Sequence, residues 1–260
     1  MEERIGLAIK EFNNYVDSFT GLSEDQVKNF EIKKNHSFRV ADLALMLAKN
    51  MELNETEAQL AYLIGLFHDV GRFKQLKEYN TFNDAKSVDH AELGIEVIRE
   101  NKFFNDLDNA QVELILLAIK QHNKLGLEKS LPDKERLFAK LIRDADKLDI
   151  LRVITDYYTN PKAEANHTLT WEMPKGGKVS NDVSKQILKG ALVSKESITN
   201  ELDIKVMQLS WVYDFNYRSS FELMMEKRYL EKIYNSMPKS DVVIEIYRKV
   251  KVFVENKLIA

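Results

Sequence analysis

The stretch Ala61-Tyr62-Leu63-Ile64-Gly65-Leu66-Phe67-His68-Asp69-Val70-Gly71-Arg72 decides how the rest of the chain is read. It starts as an apolar helix and ends with a histidine and an aspartate side by side, just before a glycine. Adjacent helical residues point about 100° apart, so His68 and Asp69 do not share a helix face. Near a helix end, both can still lean toward one point, as two ligands of one ion must. A neutral imidazole and a carboxylate form a normal mixed set for a first-row metal. Taken alone, the pair reads more simply as a buried histidine hydrogen-bonded to its neighbour's carboxylate. Its weight comes from what lies around it.

Upstream, Asn54-Glu55-Thr56-Glu57 reads as a helix start with acidic residues in its first turn. That helix carries Leu60, Leu63, Ile64 and Phe67, and Gly71 is expected to end it. Earlier, residues 2–19 are amphipathic, and a polar link from Thr20 to Asp25 leads to an apolar segment near Phe30 and Ile32. From His36, which is expected to open a helix, the apolar stripe runs Val40, Leu43, Ala44 and Leu47.

Downstream, residues 73–88 are polar, aromatic and aperiodic, and read as a loop long enough to be functional. Ser87 or Asp89 can cap the next helix, which holds His90, Leu93, Val97 and Ile98. Another helix runs through Val112, Ile115, Leu116 and Ile119 to His122. Pro132-Asp133 opens a helix over 133–158 with Leu137, Leu141, Leu148 and Leu151. Residues 160–184 read as a loop or small hairpin, with Thr168-Leu169-Thr170-Trp171 as a strand-like piece. Helices are expected again at 185–198, 201–214, 217–236 and 241–258. The fold class is all-α: a helical unit over 1–158, with a loop and helical extension over 159–260 packed against it as one unit.

Composition removes several functions. The absence of cysteine excludes disulfides, thiolate metal sites and cysteine nucleophiles, so any metal must be held by nitrogen and oxygen. A formal net charge of −3 argues against a DNA-coating surface, while leaving room for a local basic pocket for a phosphorylated small molecule. The N-terminus is charged at once with no apolar run after it, and no stretch of about 18 apolar residues exists, so no membrane partner is expected. The expected location is cytoplasmic. A homo-oligomer is compatible with the sequence.

Four of the five histidines sit on or at the ends of expected helices: His36, His68, His90 and His122, with His167 in the polar loop. Packed helix ends bring distant side chains to one point. The remaining candidate lies in Arg143-Asp144-Ala145-Asp146-Lys147-Leu148-Asp149. The leucine stripe puts Asp144 on an apolar face, and Asp146 lies with Ile142, Arg143, Asp149 and Ile150. Periodicity alone does not choose between the two aspartates, and the stretch also reads as a solvated charged face.

The ordered series His36, His68-Asp69, His90, His122, Asp146 resembles the HD superfamily of metal-dependent phosphohydrolases, over residues 30–155. In that family the late aspartate follows alanine and precedes a basic residue and leucine, which selects Asp146 in Ala145-Asp146-Lys147-Leu148. The resemblance implies a helical bundle in which His36, His68, Asp69 and Asp146 hold one divalent metal. His90 and His122 imply a second ion, with Asp69 bridging, unless they stand outside the metal shell and touch substrate or ligands instead. The cofactor would be one or two ions of iron, manganese, nickel, cobalt or magnesium.

The implied activity is hydrolysis, by metal-activated water, of a phosphate ester of a nucleotide or another small phosphorylated molecule. Asp69, Arg72 and Lys147 are the implied catalytic residues. Arg72 leads the candidates for binding the anionic substrate, followed by Lys147 and Arg143, with Asn83 and Lys86 in the long loop. No Gly-Tyr-Pro sequence occurs, which disfavours the cyclic-dinucleotide branch of the family, and Val70-Gly71-Arg72 lacks the acidic pair of alarmone hydrolases. Two alternatives stand: a mixed-valent di-iron oxygenase, and a regulatory binding module that kept its metal.

Overall fold

A computed structural model describes residues 2–160, 171 and 173–259. Every regular element among the described residues is a helix. The chain runs α1 (Glu2–Asp17), α2 (Glu24–Asn50), α3 (Glu55–Phe67), α4 (Gly71–Tyr79), α5 (His90–Asn101), α6 (Asn109–His122) and α7 (Asp133–Thr159). It continues with α8 (Asn181–Leu188), α9 (Glu201–Ser210), α10 (Arg218–Glu226), α11 (Tyr229–Asn235) and α12 (Asp241–Ile259). No described helix is long and apolar enough to cross a membrane. Two compact units emerge, Met1–Asp149 and Ile150–Ala260, with the division inside α7.

Local chemistry explains where the helices of the first unit begin. Ser23 with Gln26, Asn54 with Glu57, and Asp108 with Gln111 form reciprocal capping boxes at the starts of α2, α3 and α6. Asp89, the second of the two capping candidates, accepts from the backbone N–H groups of Ala91 and Glu92 and opens α5 at His90.

Helix α3 is the centre of this unit, because every residue from Leu60 to Val70 is buried. A helix apolar on all sides belongs inside a bundle. It lies close along α2, since a Cβ on Gly65 would stand 2.6 Å from the Cα of Ala41. One end of α3 packs into an aromatic cluster of edge-to-face rings: Phe12–Phe67 at 5.6 Å, Phe12–Phe73 at 5.7 Å and Phe67–Phe104 at 5.0 Å between centroids.

Three expectations change here. His36 does not open a helix; it sits in the middle of α2, which runs unbroken through the polar stretch before it. Gly71 does not end a helix but begins α4, and its lack of a Cβ lets the backbone pass against the His90 carbonyl and Gly94. The loop expected from residue 73 therefore starts only after Tyr79, where Asn80 caps α4 in the left-handed conformation at φ 52°. Helix α4 is short and mostly polar in sequence, so it carries little of the apolar stripe that marks the longer helices. Gln75 is nevertheless fully buried, its amide donating to Asp84, Ser87 and the Val88 carbonyl.

In the second unit the expected 185–198 helix is the shorter α8, closed by Gly190 at φ 78°. The 217–236 helix is divided into α10 and α11 at Arg228, whose φ is 56°. The buried Asp203 carboxylate accepts from Ser180 and Thr199 and ties α9 to the chain entering α8. The strand-like piece Thr168–Thr170 and His167 lie outside the described residues.

Candidate metal centre

Four separate helices deliver the histidines. His36 projects from the middle of α2, His68 follows the last residue of α3, His90 is the first residue of α5 and His122 the last of α6. The close α2–α3 approach at Gly65 and Ala41 brings the His36 and His68 rings within 5.2 Å, and His68 and His122 lie at the same distance. All four rings are buried.

Asp69 is the hub. Its Oδ2 lies 3.6 Å from His36 Nε2 and 3.6 Å from His68 Nε2. Its Oδ1 lies 3.4 Å from His90 Nε2 and 3.8 Å from His122 Nε2. Asp146 Oδ1 closes the first side, 3.1 Å from His36 Nε2 and 3.7 Å from His68 Nε2. Asp146, not the fully buried Asp144, faces these rings. Two sets of donors, His36–His68–Asp146 and His68–Asp69–His122, each gather their ligand atoms within 4.8 Å and could hold a metal ion.

The proton arrangement is what fits a cation. Each ring's Nδ1 is 2.6–2.7 Å from an oxygen acceptor: His36 from Asp149, His68 from the Gly65 carbonyl, His90 from Asp84, and His122 from the Ile119 carbonyl. In the neutral ring, Nδ1 therefore carries the proton and Nε2 presents a lone pair. All four lone pairs point at carboxylate oxygens or at one another. His90 Nε2 and His122 Nε2 are 3.0 Å apart, and His68 Nε2 is buried without a hydrogen-bond partner. A cluster of acceptors needs positive charge between them, so the residues present fit divalent ions held through nitrogen and oxygen.

Electrostatics agree with this. Burial, together with the neighbouring His90 and His68 rings, pushes the His122 pKa down to about 3, which keeps the ring neutral and able to donate its lone pair. Burial likewise lowers that of His68. Burial works to raise Asp69, but Lys33, His68, Arg72 and His90 outweigh it and hold its carboxyl well below the usual range. For His36, burial and Lys33 oppose the charged form, and the hydrogen-bonded Asp146 and Asp149 carboxylates overcome them and raise the pKa. Positive charge is favoured at that ring.

A second layer orients the donors. Asp149 takes His36 Nδ1 at 2.7 Å and also the fork of Arg39, at 2.7 and 2.9 Å. Asp84 takes His90 Nδ1 at 2.6 Å together with Arg72 at 2.7 Å. Carboxylate–histidine pairs of this kind fix the tautomer and ring direction around metals. None of Lys33, Arg39, Asp84 or Asp149 was anticipated as part of the site. Arg39 was legible in principle, lying three residues after His36 on the expected helix, whereas Lys33, three residues before it, was not, because the helix is expected to open at His36. Asp149 follows Asp146 at the same spacing. Asp84 carried no sequence signal, because a turn brings it in.

The expected substrate-binding residues are placed unevenly. Arg72 lies at the site: its Nε is 3.5 Å from Asp69 Oδ1, and its Nη1 donates to Gln75, the Phe82 carbonyl and Asp84. Arg143 is buried and donates to the Gln121, His122 and Lys124 carbonyls, bracing the end of α6 that carries His122. Lys147 is half-buried beside Asp146. Lys86 is exposed, and Asn83 spends its side-chain oxygen capping the turn at Ala85.

Residues 34–151 match the family model described as HD domain. The chain is also similar to the 3'3'-cGAMP-specific phosphodiesterase 1 of Vibrio cholerae, 28% identical over 172 residues. That match covers 63% of this chain and 38% of the relative, well under half the relative's length. No solved structure matches.

Proposed function

We propose that this protein is a metal-dependent phosphohydrolase that cleaves a phosphate ester of a nucleotide or another small phosphorylated molecule. The observation that carries the reading is the convergence of four Nε2 lone pairs on the two oxygens of Asp69, with every Nδ1 held by an acceptor. His36, His68, Asp69 and Asp146 would hold one divalent ion; His90, His122 and the other oxygen of Asp69 would hold a second. Such ions supply Lewis acidity and a water of lowered pKa.

The chain's own groups supply the rest. Lys33 Nζ stands 2.6 Å from Asp69 Oδ2, and Arg72 Nε, buried without a hydrogen-bond partner, stands by Oδ1. Two cations flanking the central carboxylate suit an anionic ester, and the unsatisfied Arg72 N–H is a donor for a phosphoryl oxygen. Lys147, next to Asp146, is the third cation in this reading. Asp84 and Asp149 keep the imidazoles aimed while charge at the centre changes.

The substrate draws on two opposing indications. The missing Gly-Tyr-Pro argues against a cyclic dinucleotide, whereas the Vibrio cholerae relative is by name a phosphodiesterase for one. The test is turnover by manganese- and iron-loaded protein of a panel holding nucleoside monophosphates, dinucleotides, 3'3'-cGAMP and generic phosphate esters. Metal-dependent phosphate release or diester cleavage supports the proposal. Oxygen consumption by the iron-loaded protein without ester cleavage would replace it with the oxygenase. Metal uptake with neither activity would leave a binding module.

A further inference from the structure

Phe82 stands in the turn after α4 and lies near both cations that flank Asp69. Lys33 Nζ is 5.6 Å from the ring centroid and the Arg72 guanidinium carbon 5.8 Å. Lys33 comes from α2 and Arg72 from α4, yet they reach the two oxygens of one carboxylate. That shared tether keeps the cations too close together to stand at opposite ends of a line through the ring. The ring is thus bordered by the same two cations that border the Asp69 carboxylate. The ring is half-buried and forms no aromatic pair among the described residues. Its backbone is fixed: the Phe82 carbonyl accepts from Arg72 at 2.7 Å, and Asn83 caps the next turn through Ala85 at 3.0 Å.

We infer that Phe82 is a specificity-determining residue, whose ring receives a planar aromatic base on the esterified group while the phosphate meets Lys33 and Arg72. This rests on the phosphohydrolase reading and names its substrate class: a nucleotide, as opposed to a sugar or polyol phosphate. A flat ring held by its backbone stacks a base at little cost in side-chain freedom. The spacing is also suitable, because the cations that border the ring are those that border the carboxylate at the centre of the site.

The experiment compares wild type, Phe82→Ala, Phe82→Leu and Phe82→Trp, each loaded with manganese. Equilibrium dialysis reads binding of adenosine 5′-monophosphate, ribose 5-phosphate and inorganic phosphate, and the same esters are assayed for kcat and KM. Wild type is expected to prefer the nucleotide over ribose 5-phosphate. Phe82→Ala and Phe82→Leu should weaken nucleotide binding about tenfold, the order of one lost base–aromatic stack, with phosphate binding unchanged. Phe82→Trp should restore it. Equal wild-type affinity for the two esters overturns the inference and leaves the phosphohydrolase reading standing. An equal loss of all three ligands in Phe82→Ala also overturns it, because the ring would then serve only to hold the cations. If wild type binds no phosphate and cleaves no ester of the wider panel, the phosphohydrolase reading itself falls, and this inference with it.

Discussion

The Nε2 atoms of His90 and His122 lie 3.0 Å apart, each on a ring whose Nδ1 is already tied to an oxygen. Two imidazole lone pairs at that distance repel unless a proton or a metal ion lies between them. Replacing both residues by Ala should lower the metal content from about two ions per chain to about one, because half of a two-ion clamp is removed. The set His36, His68, Asp69 and Asp146 should survive. Elemental analysis of manganese-saturated protein reads the result, and an unchanged stoichiometry would show that the two histidines only surround the centre.

Asp146 and Asp144 offer a sharper discrimination, because they sit two residues apart on α7 and face different surroundings. Asp146→Asn should lose metal and on the order of a hundredfold in rate, the upper end of what loss of a group merely supporting a ligand costs. Asp144→Asn, at a fully buried position, should lower the melting temperature while retaining metal. Calorimetry and metal analysis on both variants separate the two effects. The opposite pattern would place the wrong aspartate in the site.

Gly65 sets the distance between α2 and α3. A methyl group there would meet the Ala41 backbone at 2.6 Å, so Gly65→Ala must push the helices apart. The expected cost is about 1–3 kcal/mol of stability, as for other overpacked cores. Because His36 and His68 ride on those two helices, metal affinity should fall with it. A variant with wild-type melting temperature and wild-type affinity would contradict the close approach.

Lys33 holds the same Asp69 oxygen that faces His36 and His68, at 2.6 Å. An ammonium there competes with any other cation for that lone-pair region. Lys33→Met should tighten manganese binding about fivefold at low salt, the upper range for a partly exposed ion pair. It should also weaken binding of inorganic phosphate to the loaded protein. Titration calorimetry measures both, and weaker manganese binding would refute the competition.

What the amino-acid order alone determined follows from local rules. The start at Asn54, the cap at Asp89 and the 3.6-residue apolar stripes are short-range signals, so the all-helical class could be read directly, whereas the start of α2 at Glu24 was expected only at His36. The series from His36 to Asp146 could be ordered as a candidate site through its resemblance to a family. Periodicity could not choose between Asp144 and Asp146, because both lie on a helix buried on more than one side. Only the packing of α2 and α3 against α7 shows which carboxylate meets the rings.

Tertiary structure also decided everything that depends on a through-space neighbour. Arg143, expected among substrate contacts, sits buried against the carbonyls that end α6. Gly71, expected to stop a helix, starts one, since its missing side chain is needed by the His90 carbonyl and not by its own φ. Lys33 entered the site only because α2 continues upstream of His36, beyond where its apolar stripe begins. A helix stripe reports which residues leave water. It does not report which buried polar groups face each other, because that depends on contacts between segments far apart in sequence, such as His36 with Asp149 and His90 with His122.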